Sequence, residues 1–311
     1  MRFVVSLVLR AVVVLTGAAL ATFSLLWNAP GDPALAIALA RFDALVPTEV
    51  IEQVRTQSGL DVHFWPAFLD WIAPLLSGDF GQSSVTGRKV WPELISALFF
   101  TVPLAFLGLF IGLWIAIPLA LIATRSPGNW LDRCSVAIAS IGAAIPAYWL
   151  GLLLILLFAV QLRWLPAMGA RTQAHVILPA VTLGLGVAAS LTRILRSGIL
   201  EARKQPFLPA IRRRGVAARD VERHHIALHA AIPVVTVFGL ELAFLLEGAV
   251  LVEVIFARPG LGSFLINAIE ARDFPKVQAV VVLATVLFVT LNFLIDVFYQ
   301  ILDPRIGRNN A

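Results

Sequence analysis

Three histidines and four acids hold most of the chemistry this 311-residue chain could offer. His225 and His229 stand four apart, so one helical face could present both imidazoles to a divalent metal. Neither a His-Glu-x-x-His pattern nor a second acidic ligand accompanies them or the adjacent His224. They read as solvated helix positions, and no metal site is expected. Glu241, Glu247, Glu253 and Asp296 fall inside apolar stretches, where a carboxylate is costly and faces a partner or water. Glu247 and Glu253 are six apart and share no helical stripe; both are candidates for facing a polar path, and an interhelical structural role is the alternative for Glu247. Ser140 and Ser190 have no histidine at membrane depth to activate them, which speaks against an intramembrane hydrolase. The three lysines follow Arg88, Arg203 and Pro275, so no Gly-Lys-Ser/Thr phosphate loop occurs. If this chain is part of a pump, its motor is another subunit. Cys134 is the single cysteine, so the fold cannot rest on an intrachain disulfide.

The elements that must position these groups are membrane helices. With 59% hydrophobic and 14% charged residues, the chain carries more apolar surface than one soluble core could hide. Six spans are expected, at about 3–27, 94–124, 134–162, 176–195, 232–256 and 277–302. The first is read as an uncleaved helix rather than a signal peptide, because its apolar run is long and ends at the interfacial anchor Trp27. Pro146 lies inside the third and must leave a carbonyl unpaired. Gly184, Gly186, Ala188, Ala189 and Ser190 crowd the fourth with small side chains that let another helix approach closely.

Residues 28–93 form the one long polar segment, an outer loop in which Val46 to Leu60 reads as a helix capped by Thr48 and stopped by Gly59. Gly78 to Val90 follows as a glycine-rich turn that serves the backbone, since no phosphate-loop lysine accompanies it. The second long connection, 196–231, belongs to a stretch from Arg193 to Pro233 that carries nine of the basic residues. With both termini cytoplasmic, 15 of the 24 Lys and Arg lie on the inner side and 9 on the outer, the imbalance that cationic resistance to translocation demands. This grouping at span ends explains the positive charge without nucleic acid. Inside the inner loop, Pro206 and Pro209 suit the first turn of a short helix, Phe207 to Arg214, which Gly215 ends. Phe207, Leu208 and Ile211 are expected to form its apolar patch.

Seven motifs occur in one order: Gly31-Asp-Pro33, Trp164-Leu-Pro-Ala-Met-Gly169, Leu178-Pro179, the loop with Glu201 and Gly215, Phe256-Ala-Arg-Pro-Gly-Leu-Gly262, Ala271-Arg-Asp-Phe-Pro275 and Asp303-Pro-Arg305. Together they resemble the permease subunits of bacterial ABC importers, in the branch that serves dipeptides, oligopeptides and nickel, over nearly the whole chain. The resemblance implies an all-α integral membrane fold of the type I importer permease, one transmembrane domain over 1–311, in the bacterial inner membrane. It implies a second permease subunit, two ATPase subunits that hold the ATP and Mg, and an extracellular or periplasmic solute-binding protein, with no cofactor on this chain. It assigns the loop of Glu201, Phe207, Leu208, Ile211, Arg212 and Gly215 to contact with the ATPase, Glu201 anchoring the short helix. Glu253 and Asp296 recur in the family, whereas Glu247 stands where glycine is usual. Di- or oligopeptides and nickel or metal chelates are both open as solutes; Trp164 to Gly169 and Glu222-Arg-His-His-Ile226 look slightly more like the nickel members. A passive channel and an intramembrane enzyme are the rival classes.

Overall fold

The computed structural model describes residues 2–42, 46–227, 229–230, 241, 245 and 248–302. Helices α1 (Arg2–Trp27), α2 (Pro33–Phe42), α3 (Thr48–Gln57), α4 (Phe64–Leu76) and α5 (Val90–Arg125) come first. Then follow α6 (Trp130–Ala144), α7 (Ala147–Leu154) with a π-helical continuation Ile155–Gln161, and α8 (Ile177–Arg203). The short α9 (Leu208–Arg213) and α10 (Ala218–Asp220) lead to a π-helical run Val221–Ile226. Residues 248–255 are helical (α11), and α12 (Leu261–Glu270) and α13 (Phe274–Leu302) complete the series. Among the described residues the β structure is one isolated bridge, Gln82 to Lys89.

Leu9–Trp27, Val90–Arg125, Gln173–Arg203 and Phe274–Ile295 are each long and apolar enough to cross a membrane. α6 and the α7 segment are together long and apolar enough for a fifth crossing, but the two are bent by 98°. Pro146 is therefore not a kink inside a continuous helix, as the sequence suggested, but a break. The residue before a proline is driven out of the α region, and Ile145 is extended at φ −82°, ψ 121° while Pro146 caps α7. The expected span at 232–256 lies mostly outside the described residues.

The described residues gather into two compact units. The first draws on 1–100 and 259–293. Asp32 accepts the amide of Ala34 at 3.0 Å and pairs with Arg55 at 2.7 Å, so Gly31-Asp-Pro33 is a helix start with its acid at the cap and its proline in the first turn. In α3 the cap position is Pro47, and no side chain caps it; Thr48, expected as the cap, is the first helical residue. Ala34, Ile37, Ala38 and Val54 bury the contact of α2 and α3. Val90, Leu94 and Ala97 of α5 pack with Leu261 of α12 and Ala279, Val280 and Leu283 of α13. The turn before α5 is held by Asp273, which accepts from the Ser83 hydroxyl at 2.5 Å and the Ser84 amide at 3.0 Å. Lys276 adds an ion pair to Glu93 at 2.7 Å.

The second unit draws on 101–258 and 294–311. A Cβ placed on Gly184 of α8 would lie 2.7 Å from Ile111 Cγ2 and 2.9 Å from the Gly108 carbonyl of α5. This is backbone approach of the kind that small residues permit between membrane helices. Gly186, expected to do the same, has nothing within 4 Å of its Cβ position. α6 is tied to α8 by Asp132, 4% exposed at its side chain, whose two oxygens accept from Arg196 Nε at 2.6 Å and Nη2 at 2.8 Å. Asp132 also accepts the Gly128 amide at 2.8 Å, which closes the turn between α5 and α6.

Candidate coupling loop and buried carboxylates

The inner loop folds on a small core of its own. Leu208, Val221 and Ile226 pack with Ile199 and Ala202 of α8 and with Ala120 near the end of α5, and Phe207 and Ile211 lie partly buried against them. The apolar patch expected from the sequence is thus divided. Leu208, 2% exposed, turns inward, because a helix this short cannot hold position without an apolar anchor. Phe207 and Ile211 keep part of their surface open. Phe207 stacks obliquely on His229, ring centroids 5.1 Å apart, and meets His225 at 6.4 Å. Arg213 is exposed, and the side chain of Arg212, also in α9, lies outside the described residues. Gly215 has φ +80° with open space where a Cβ would sit.

Arg203 locks the loop to the membrane helices. Its Nε and Nη2 donate to Glu222 at 3.2 and 3.3 Å, and its Nη1 donates to the carbonyl of Thr124. Thr124 belongs to the last turn of α5, where carbonyls lack helical partners and the helix dipole favours a cation. Glu201, expected as the anchor, is exposed and makes no ion pair among the described residues. The acid that pairs with Arg203 is Glu222, nineteen residues away, and no local spacing announces such a pair. Asp132 with Arg196 was missed for the same reason. Among the described residues no group of three or more His, Cys, Asp or Glu could hold a metal. His229 Nδ1 donates to the His225 carbonyl at 2.9 Å, and His224 Nδ1 to that of Asp220 at 3.3 Å.

Two of the four carboxylates of the apolar stretches lie among the described residues, and both have partners. Glu253 is fully buried in α11 and accepts from the Thr101 hydroxyl of α5 at 2.5 Å. Glu241 is 7% exposed and hydrogen-bonded to Ser190 of α8, with the charge of Arg193 nearby. Glu247 and the side chain of Asp296 lie outside the described residues. On the connection after the broken span, the Gly169 amide donates to the Phe256 carbonyl at 2.8 Å and Arg258 Nη1 to that of His175 at 3.2 Å. The first bond joins the Trp164–Gly169 motif to the start of the motif at Phe256, and the second ties Arg258 of the latter to His175.

The short helix α9 thus rests on a core of its own, and the loop is tied to the ends of α5 and α8. Residues 108–308, the stretch that contains it, match the model of the binding-protein-dependent transport system inner membrane component. The chain belongs to that family. Glutathione transport system permease proteins GsiC of Escherichia coli K12 and Shigella dysenteriae serotype 1 are 39% identical over 277 residues, 89% of this chain and 89% of theirs. The structure is similar to the inward-facing MetNI methionine ABC transporter, with a TM-score of 0.56 at 22% identity over 67% of this chain and 95% of that one. An amino acid ABC transporter with histidines gives 0.54 at 21% over 67% and 94%. The protein is an ABC importer permease subunit and a multi-pass inner membrane protein. The match of this permease to the family model begins within α5, so α1 to α4 precede it.

Proposed function

We propose that this permease forms, with a second permease subunit, the path by which short peptides of the glutathione class enter the cell. An external binding protein delivers them and two ATPase subunits on the cytoplasmic face drive the cycle. The 39% identity to glutathione transport permeases across 89% of both chains carries this reading. Residues 1–311 act as one permease domain with both termini cytoplasmic, as the 15 to 9 division of basic residues favours. Phe207, Ile211 and Arg212 meet the ATPase, Leu208 holds α9 from within, Gly215 turns the chain after it, and Glu201 supplies an exposed charge beside the contact.

The test is uptake by the complex reconstituted with its binding protein in vesicles. Labelled glutathione or a dipeptide should accumulate only with ATP. Uptake of a nickel chelate with no peptide uptake would move the solute to the metal class, and flux without ATPase subunits would restore the passive channel.

Phe207→Ala with Ile211→Ala tests the transmission. Each full burial of such a side chain contributes roughly 1.5 to 3 kcal/mol, and both are already partly covered, so the pair should weaken the contact by less than that sum. Solute-stimulated hydrolysis and transport should fall together, with hydrolysis by the isolated ATPase unchanged. Normal transport by the double variant would remove the loop from the coupling path.

A further inference from the structure

We infer that α4 is an interfacial helix that lies in the bilayer at the Trp27 end of the first span, which is the outer leaflet on the orientation proposed above, a lipid contact separate from any transport role. Thirteen residues reach about 20 Å, short of the roughly 20 residues a crossing needs, and apolar helices of this length fit interfacial segments. α4 carries two apolar stripes at helical spacing. Phe64, Phe68 and Trp71 wrap Phe23 and Trp27 in the last turn of α1, with Phe23 stacked on Trp71 at 5.5 Å and Trp27 edge-on to Phe64 at 5.8 Å. The second stripe, Trp65, Leu69 and Leu76, is 62%, 60% and 87% exposed, and the ring contacts of Trp65 are with Phe64 and Phe68 of its own helix.

The position of α1 decides what covers that stripe. Its apolar stretch Leu9–Trp27 ends at the residues α4 packs on, so α4 sits where the span leaves the hydrocarbon. There tryptophan is favoured for its amphipathic ring. α4 has no basic residue, and Asp70, its one ionisable group, lies off both stripes. Attraction therefore comes from apolar burial, and neutral lipid suffices. α1 is itself exposed beside this contact, with Leu25 at 74%, as expected of a span that meets lipid. A soluble partner would instead have to bury a tryptophan and two leucines at the level of the headgroups.

The experiment is spin labelling of the full chain with Cys134→Ser, in phosphatidylcholine vesicles, alone and with cysteine-free partner subunits. Labels at Leu69→Cys and Leu76→Cys should favour oxygen over an aqueous nickel relaxant and report a depth of about 5 to 10 Å. A label at Asp70→Cys should favour the aqueous relaxant, and none of these values should change with salt. Aqueous accessibility at both 69 and 76 would overturn the inference. Shielding of both from both relaxants, seen only with partner subunits, would also overturn it in favour of a protein contact. Two labelled positions keep the test open if one variant fails to insert. Neither readout depends on uptake, so failure here leaves the transport reading intact.

Discussion

Gly215 separates conformation from contact, because a side chain there meets open space while φ is +80°. Gly215→Val should abolish solute-stimulated hydrolysis and leave membrane insertion intact, since a β-branched residue resists this backbone at roughly 1 to 2 kcal/mol or more. Gly215→Asn should keep most activity, as asparagine visits the left-handed region. Equal activity of the two would show that the turn does not need its glycine. Asp132→Ala should cost more stability than any change at Glu222. Removing one partner of a buried pair costs roughly 3 to 5 kcal/mol, lessened here because Arg196 is 28% exposed. Glu222 is 44% exposed, and such pairs contribute about 1 kcal/mol or less. Thermal midpoints in detergent read the difference. Gly215 was legible in the sequence because backbone demands are local. The partners of Arg203 and Asp132 were not, because pairing across distant segments depends on how helices stack.

Among elements, the contact of α5 and α8 gives a paired test on one helix. Gly184→Ala forces a Cβ against the Ile111 side chain and the Gly108 backbone, so it should lower the thermal midpoint. Gly186→Ala meets nothing and should raise it slightly, since alanine is favoured over glycine in helix interiors by about 0.8 to 1.0 kcal/mol. The reverse order would mean that the two helices pack through another face. Four of the six expected spans were readable because membrane crossing demands long apolar runs, and α3 because its apolar residues recur at helical spacing. α2 and α4 were hidden by Pro33, Pro66 and Pro74, which looked like loop residues. Pro33 and Pro66 sit in first turns, where the missing amide costs little, and Pro74 sits near the end of α4. The opposite error occurred at Pro146, where the apolar run concealed a break.

For the whole molecule, reporter fusions at Gly59 and Gly169 should read outside and one at Arg213 inside; a cytoplasmic Gly59 would invert the proposed orientation. The inward turn of Leu208 bears on how work could cross the membrane surface. Leu208 shares a core with Ala120 and Ile199, and Arg203 donates to the Thr124 carbonyl at the end of α5, so on the proposed coupling role a push on α9 would be passed to the ends of α5 and α8. On that proposal the loop would act as a stiff handle, its stroke limited by compliance as well as by grip. Leu208→Ala would soften the handle without touching the surface a motor grasps, at about 2 to 5 kcal/mol of loop stability. Such a transporter should still bind its ATPase and still burn ATP, yet move less solute per nucleotide, like a clutch that slips under load.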